Sequence, residues 1–80
     1  MKCVYLLRSE RDPTRRYVGI TDDLRRRLAE HNSDKPGHTR GHAPWRLVVA
    51  VHFDNAARAE AFERYLKNGS GHAFARRHFW

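Results

Sequence analysis

Arg27 and His31 stand four residues apart in a segment whose apolar positions are Leu24 and Leu28. On a helix, the i, i+3, i+4, i+7 series from Leu24 reads Leu24, Arg27, Leu28, His31, so both polar groups lie on or beside the buried stripe. As i, i+4 neighbours they can also reach one ligand. A second segment repeats the anomaly, with Ala59, Phe62, Glu63 and Leu66 at the same spacing. A carboxylate there must be ion-paired, hydrogen-bonded or bound to a metal. Two readings follow: an Arg27–Glu63 ion pair at the edge of the core, or a site that holds an anion and a cation. Tyr5 and Tyr17 fall in short strand-forming runs, where spacing alone makes them packing residues. His38 and His42 have an i, i+4 spacing, but the Pro and Gly around them argue against a helix and against zinc. Cys3 reads as a small apolar core residue. Trp45 and Trp80 could stack on bases, although Trp45 adjoins a strong strand and reads as core.

The elements that must position these groups are legible in outline. Residues 3–8 and 16–20 are short strands joined by turn material over 9–14, which predicts a hairpin. Gly19 inside the second strand suggests a bulge or a close backbone approach. Thr21-Asp22-Asp23 supplies an N-cap for a helix ending near His31. Residues 32–44 form a polar, basic, mobile loop. Residues 45–53 are rich in β-branched side chains and read as a central strand covered on both faces. Asn55 caps a second helix over 56–68, which Gly69 ends. Ser70-Gly71 is a joint, and 72–79 form a short last helix. The order β-β-α-β-α-α predicts an α+β domain with a three-stranded, mainly antiparallel sheet flanked by helices.

Composition narrows the ligand. The 80 residues make one domain, 1–80, with a net charge of +7 from 16 basic and 9 acidic side chains. A chain this size buries roughly 60% of its unfolded surface, so a site is expected in an open groove. Thirteen of the basic residues are Arg, whose planar fork suits phosphates better than Lys. A polyanion partner is expected. The single Cys excludes an internal disulfide and a Cys-x-x-Cys zinc framework. No apolar run approaches the roughly 20 residues that cross a bilayer, and the N-terminal run is too short for a signal peptide. These features lead us to expect a cytoplasmic protein without membrane contact.

Val4-Tyr5-Leu6-Leu7, Tyr17-Val18-Gly19-Ile20-Thr21 and Leu24-x-x-Arg27-x-x-x-His31-Asn32 together resemble the GIY-YIG nuclease domain. Pro44-Trp45-Arg46-Leu47-Val48 and Phe62-Glu63-x-Tyr65-Leu66-Lys67-x-Gly69-x-Gly71 are similar to its small stand-alone bacterial members. The resemblance spans nearly the whole chain with the motifs in order. It implies a GIY-YIG endonuclease-like fold and metal-dependent hydrolysis of DNA phosphodiesters. Tyr5 becomes the candidate general base or water-orienting group, although a free phenol, with a pKa near 10, sits about three units too high for that task at pH 7. Arg27, a metal or a metal-bound water would have to favour its phenolate. Tyr17 would position the water or the scissile phosphate. Arg27 would clamp the phosphate, and His31 would hydrogen-bond Tyr5 or the phosphate. Glu63 would hold one Mg²⁺ (or Mn²⁺), which takes phosphate oxygens and waters as its other ligands. Glu60 lies off the apolar stripe, so a second metal carboxylate is not evident. Arg25, Arg40 and Lys67 are the expected nucleic-acid contacts.

The chain departs from the pattern where Cys3-Val4 replaces the eponymous Gly-Ile, and Asn68 follows Glu63 too closely to match the asparagine of many family nucleases. No appended DNA-recognition domain is seen, which leads us to expect that specificity is low, that a protein partner supplies it, or that catalytic activity is weak or lost. The favoured reading is a metal-dependent DNA endonuclease acting in repair or recombination. The alternative is a non-catalytic nucleic-acid-binding or partner-dependent module that retains the fold. No element reads the 2′-hydroxyl identifiably, so the choice between DNA and RNA is left open, as is the oligomeric state.

Overall fold

A computed structural model describes residues 1–33 and 41–80. Six elements appear in the predicted order: β1 (Lys2–Ser9), β2 (Arg16–Thr21), α1 (Leu24–His31), β3 (Trp45–Phe53), α2 (Ala56–Leu66) and α3 (Gly69–His78). The strands form one antiparallel sheet in the order β2-β1-β3. The fold is α+β, as expected, with helices on both faces of the sheet.

The central strand is β1, not β3. Val4, Tyr5, Leu6 and Leu7 are all fully buried. Successive side chains of a strand point to opposite faces, and here both faces are covered. Val4 and Leu6 meet Ala59 and Leu66 of α2 and Ala75 of α3. Cys3, Tyr5 and Leu7 meet Trp45, with Leu24 and Leu28 of α1 packed against them. The third strand lies at an edge and leaves Arg46, Leu47 and His52 exposed. Its β-branched content gives strand propensity but not a place in the sheet, since β1 is the strand that bonds both neighbours. Leu6 pairs with Val49 and Leu7 with Leu47, so Val48 is the extra residue of a bulge.

Capping explains the helix starts. Asp23 accepts from the Arg26 amide at 3.1 Å, and Asn55 accepts from the Arg58 amide at 3.0 Å. At the other end of α1, the Asn32 side chain bonds both the amide and the carbonyl of Trp45. Those two bonds tie the helix end to the start of β3. The second helix ends at Leu66, and Gly69 opens the third helix instead of ending the second. Ser70-Gly71, the expected joint, is that helix's first turn. Gly71 is needed there, because a Cβ would overlap the Tyr65 carbonyl where α3 leaves α2.

Candidate active site

The sheet register brings the two tyrosines together. Tyr5 pairs with Gly19 and Leu7 with Tyr17, so Tyr5 and Tyr17 share a face as diagonal neighbours. Their ring centroids are 6.1 Å apart. Gly19 is the close approach suggested by its place in the strand. A Cβ at that position would stand 2.5 Å from the Tyr5 hydroxyl and 2.8 Å from Tyr17 Cε2. Glycine is therefore what lets the Tyr5 ring lie across β2 towards α1.

The first helix meets this pair with the two polar residues of its stripe. The Tyr5 hydroxyl is 2.8 Å from His31 Nε2, and the His31 ring stands 4.6 Å from that of Tyr17. The Arg27 guanidinium lies beside the Tyr5 hydroxyl and acts to lower its pKa. The same guanidinium bonds Glu30 Oε1 at 2.6 Å. Thus Arg27 pairs with Glu30, and the Arg27–Glu63 ion pair considered from the sequence does not form. Glu30 was the residue missed. Its i+3 offset from Arg27 was a visible signal of a within-helix partner. Four of the five predicted groups, Tyr5, Tyr17, Arg27 and His31, form one cluster.

Burial sets the charge states in this cluster. It pushes the Tyr5 phenol up to about 12, more than Arg27 lowers it. Arg27 does act to favour the phenolate, as the sequence suggested, but in the free protein burial outweighs it. Burial, and then Arg27, hold His31 below the usual imidazole value. Both groups are neutral at pH 7. Arg27 can only donate, and with the His31 tautomer that leaves Nε2 unprotonated the Tyr5 hydroxyl donates to His31.

These shifts predict the pH dependence of stability. The Tyr5 contribution is complete below pH 10, the unfolded value, and is lost as pH rises to about 12. The loss is on the order of 3 kcal/mol. His31 has the opposite window, since its folded value is depressed. Its contribution is complete above about pH 6.5 and falls as the pH drops below that. Urea denaturation between pH 5 and pH 11 should give a dome, and Tyr5→Phe should flatten its alkaline side. An unchanged alkaline side in that variant would contradict the assignment.

Glu63 is placed apart from the cluster. Its helix, α2, packs through Ala59, Phe62 and Leu66 on the opposite face of the sheet from Tyr5. Its Oε2 bonds Lys67 Nζ at 2.6 Å, one turn along. The Glu63 side chain is 17% exposed and Lys67 52%. Among the described residues no group of three or more His, Cys, Asp or Glu is placed to hold a metal. A lone carboxylate still suits Mg²⁺, which keeps most of its waters, and a half-exposed lysine can swing off it. An open groove of about 650 Å³ is lined by Tyr17 and by Lys67, the partner of Glu63, while Glu63 itself does not line it. Arg25 is exposed on α1, and Arg40 and His38 lie outside the described residues. Cys3 is buried, which raises its thiol above the usual value, as fits a core residue. Among the described residues no helix is long and apolar enough to cross a membrane.

Residues 1–76 match the model of the GIY-YIG catalytic domain. The chain belongs to the GIY-YIG family. It is 43% identical over 82 residues to the structure-specific endonuclease subunit SLX1 of Candida dubliniensis, across 94% of this chain and 27% of that protein. It is 44% identical over 52 residues to the UPF0213 protein of Streptococcus pneumoniae, across 64% of this chain and 52% of that protein. The chain therefore spans about a quarter of that fungal relative and half of that bacterial one. In this GIY-YIG domain the loss of Gly-Ile before the first tyrosine has a structural reading. Cys3 and Val4 are buried on the two opposite faces of the central strand, where side chains fill space that glycine would leave empty.

Proposed function

We propose that this chain is a metal-dependent endonuclease that hydrolyses phosphodiester bonds in DNA, acting in repair or recombination. The observation that carries this reading is the 2.8 Å contact between the Tyr5 hydroxyl and His31 Nε2, beside Arg27 and Tyr17. A phenol held near 12 is too weak an acid to wait as phenolate. It can act as a relay. Tyr5 is buried in the free protein, so the relay requires a local shift that admits one water to its oxygen. That water gives its proton to the Tyr5 oxygen while the Tyr5 proton passes to His31. The water oxygen forms the new bond to phosphorus, the bond to the leaving oxygen breaks, and that oxygen takes a proton from solvent. Arg27, fixed by Glu30, retains donors for the phosphate and for the charge that grows on it. Tyr17 orients the water or phosphate. Glu63 would hold Mg²⁺ or Mn²⁺ once Lys67 moves aside. A bound cation would withdraw charge from the phosphate and favour loss of the leaving oxygen.

The fungal relatives are named structure-specific endonuclease subunits, and that designation supports a protein partner for this chain. The test is cleavage of single-stranded, duplex, flap and four-way-junction DNA with Mg²⁺, Mn²⁺ or EDTA. Metal-dependent products are expected, and Glu63→Ala should reduce them by roughly 100-fold or more. The relay also predicts an acid limb as His31 is protonated, displaced below the usual imidazole value because burial and Arg27 hold His31 below it. A rate with no acid limb down to the pH at which the protein unfolds would remove His31 from the relay. The Glu63–Lys67 pair favours a second reading, a module that binds nucleic acid without cutting it. Salt-sensitive binding with no product under any metal, with or without a partner, would select that reading.

A further inference from the structure

The groove beside Tyr17 has walls that the catalytic cluster does not use. They include Arg15, Arg16, Lys67 and Arg76 and the rings of Trp45 and Trp80, with no Asp or Glu among the lining residues. Among the described residues, neither Arg16 nor Arg76 has an ion-pair partner. Arg16 instead lies over the Trp80 ring, 5.0 Å from its centroid, with Arg8 at 5.7 Å. Trp80 is partly exposed, whereas Trp45 is buried.

We infer that this groove binds an unpaired DNA strand and leads it to Tyr17. The inference rests on the nuclease reading for its direction, but the binding stands by itself. Cationic walls that follow a backbone, with an aromatic ring for a base to stack on, are the elements of single-strand recognition. A volume of about 650 Å³ lies in the range that takes one small-molecule ligand. A stacked nucleotide fits it, and a base can lie flat on the Trp80 ring only when it is unpaired. A base that displaces Arg16 from Trp80 frees that guanidinium for a phosphate, so one exchange makes two contacts. Tyr17 lines the groove and also stands in the cluster, which places a phosphate of the bound strand next to the reacting groups.

The experiment measures binding of fluorescein-labelled oligo(dT) and of a blunt duplex in EDTA, where turnover is not read. Four cations neutralising single-strand phosphates give a log–log salt slope of about −2.8. Affinity for oligo(dT) should then fall about 50-fold between 50 and 200 mM salt. Arg16→Gln with Arg76→Gln, both exposed positions, should weaken oligo(dT) binding by at least about tenfold and flatten the slope by about 1.4. Binding of the duplex should change less than threefold. Oligo(dT) should also quench tryptophan fluorescence, and Trp80→Phe should abolish most of that quenching. Equal loss for duplex and single strand, or no loss for either, would overturn the inference. A protein that cuts DNA but binds oligo(dT) equally well with and without Arg16 and Arg76 would remove the groove and leave the nuclease reading intact. The expected binding pattern in a protein that never cuts would do the reverse.

Discussion

Tyr5→Phe is expected to lower DNA cleavage by roughly 10²- to 10⁴-fold, the range assigned to a positioned acid–base group. The substitution keeps the aromatic ring, which is fully buried between β2 and α1. It removes the oxygen that meets His31 Nε2 and Arg27. DNA binding should change little, because Tyr5 is inaccessible and the groove cations are untouched. Stability should fall by about 1–3 kcal/mol, since a buried imidazole nitrogen loses its partner. The comparison is of single-turnover cleavage by wild type and variant at a temperature where both are folded by circular dichroism. Activity within threefold of wild type would rule out the Tyr5–His31 relay. Loss of binding in parallel with cleavage would show a structural role instead.

The second large effect concerns the fold. Gly71→Ala should destabilise the protein by more than about 3 kcal/mol, beyond the usual cost of overpacking. The added Cβ would overlap the Tyr65 carbonyl. Both partners are backbone, so no side-chain rotation relieves the contact, and α3 must move off α2. The total stability of an 80-residue domain is on the order of 4–12 kcal/mol, so this is a large share. Thermal melts should show Tm lower by about 12 °C or more. Gly69→Ala, two residues earlier in the same helix, meets nothing within 4 Å. It should leave Tm unchanged or raise it slightly. Similar shifts in the two variants would show that α3 packs on α2 less closely than described.

The order of elements was legible because each depends on local chemistry. Asp23 and Asn55 cap helices through their own side chains, and the β-branched run of β3 is a strand wherever it is placed. Helical periodicity likewise marked Arg27, His31 and Glu63 as polar groups on apolar stripes. What periodicity lacks is the partner. Arg27 was equally able to reach Glu63 or Glu30, and the choice depended on α1 and α2 packing on opposite faces of the sheet. The place of β1 at the centre was hidden for a related reason. Strand order is a property of hydrogen bonds between segments distant in sequence, and β1 and β3 carry similar apolar runs. Gly69 and Gly71 were read as helix punctuation, because glycine ends helices more often than it admits a neighbouring carbonyl.

The sequence by itself determined an α+β domain, its cationic character and the residues able to do phosphate chemistry, since residue type and spacing settle those locally. Only the tertiary structure decided that Tyr5 is a neutral phenol facing a neutral His31. Burial beneath α1 outweighs the Arg27 charge, and burial is the sum of contacts from the whole chain. Tertiary structure also decided that Glu63 stands apart beside Lys67, and that Trp80 returns to Arg8 and Arg16, whose positions are 72 and 64 residues earlier in the chain.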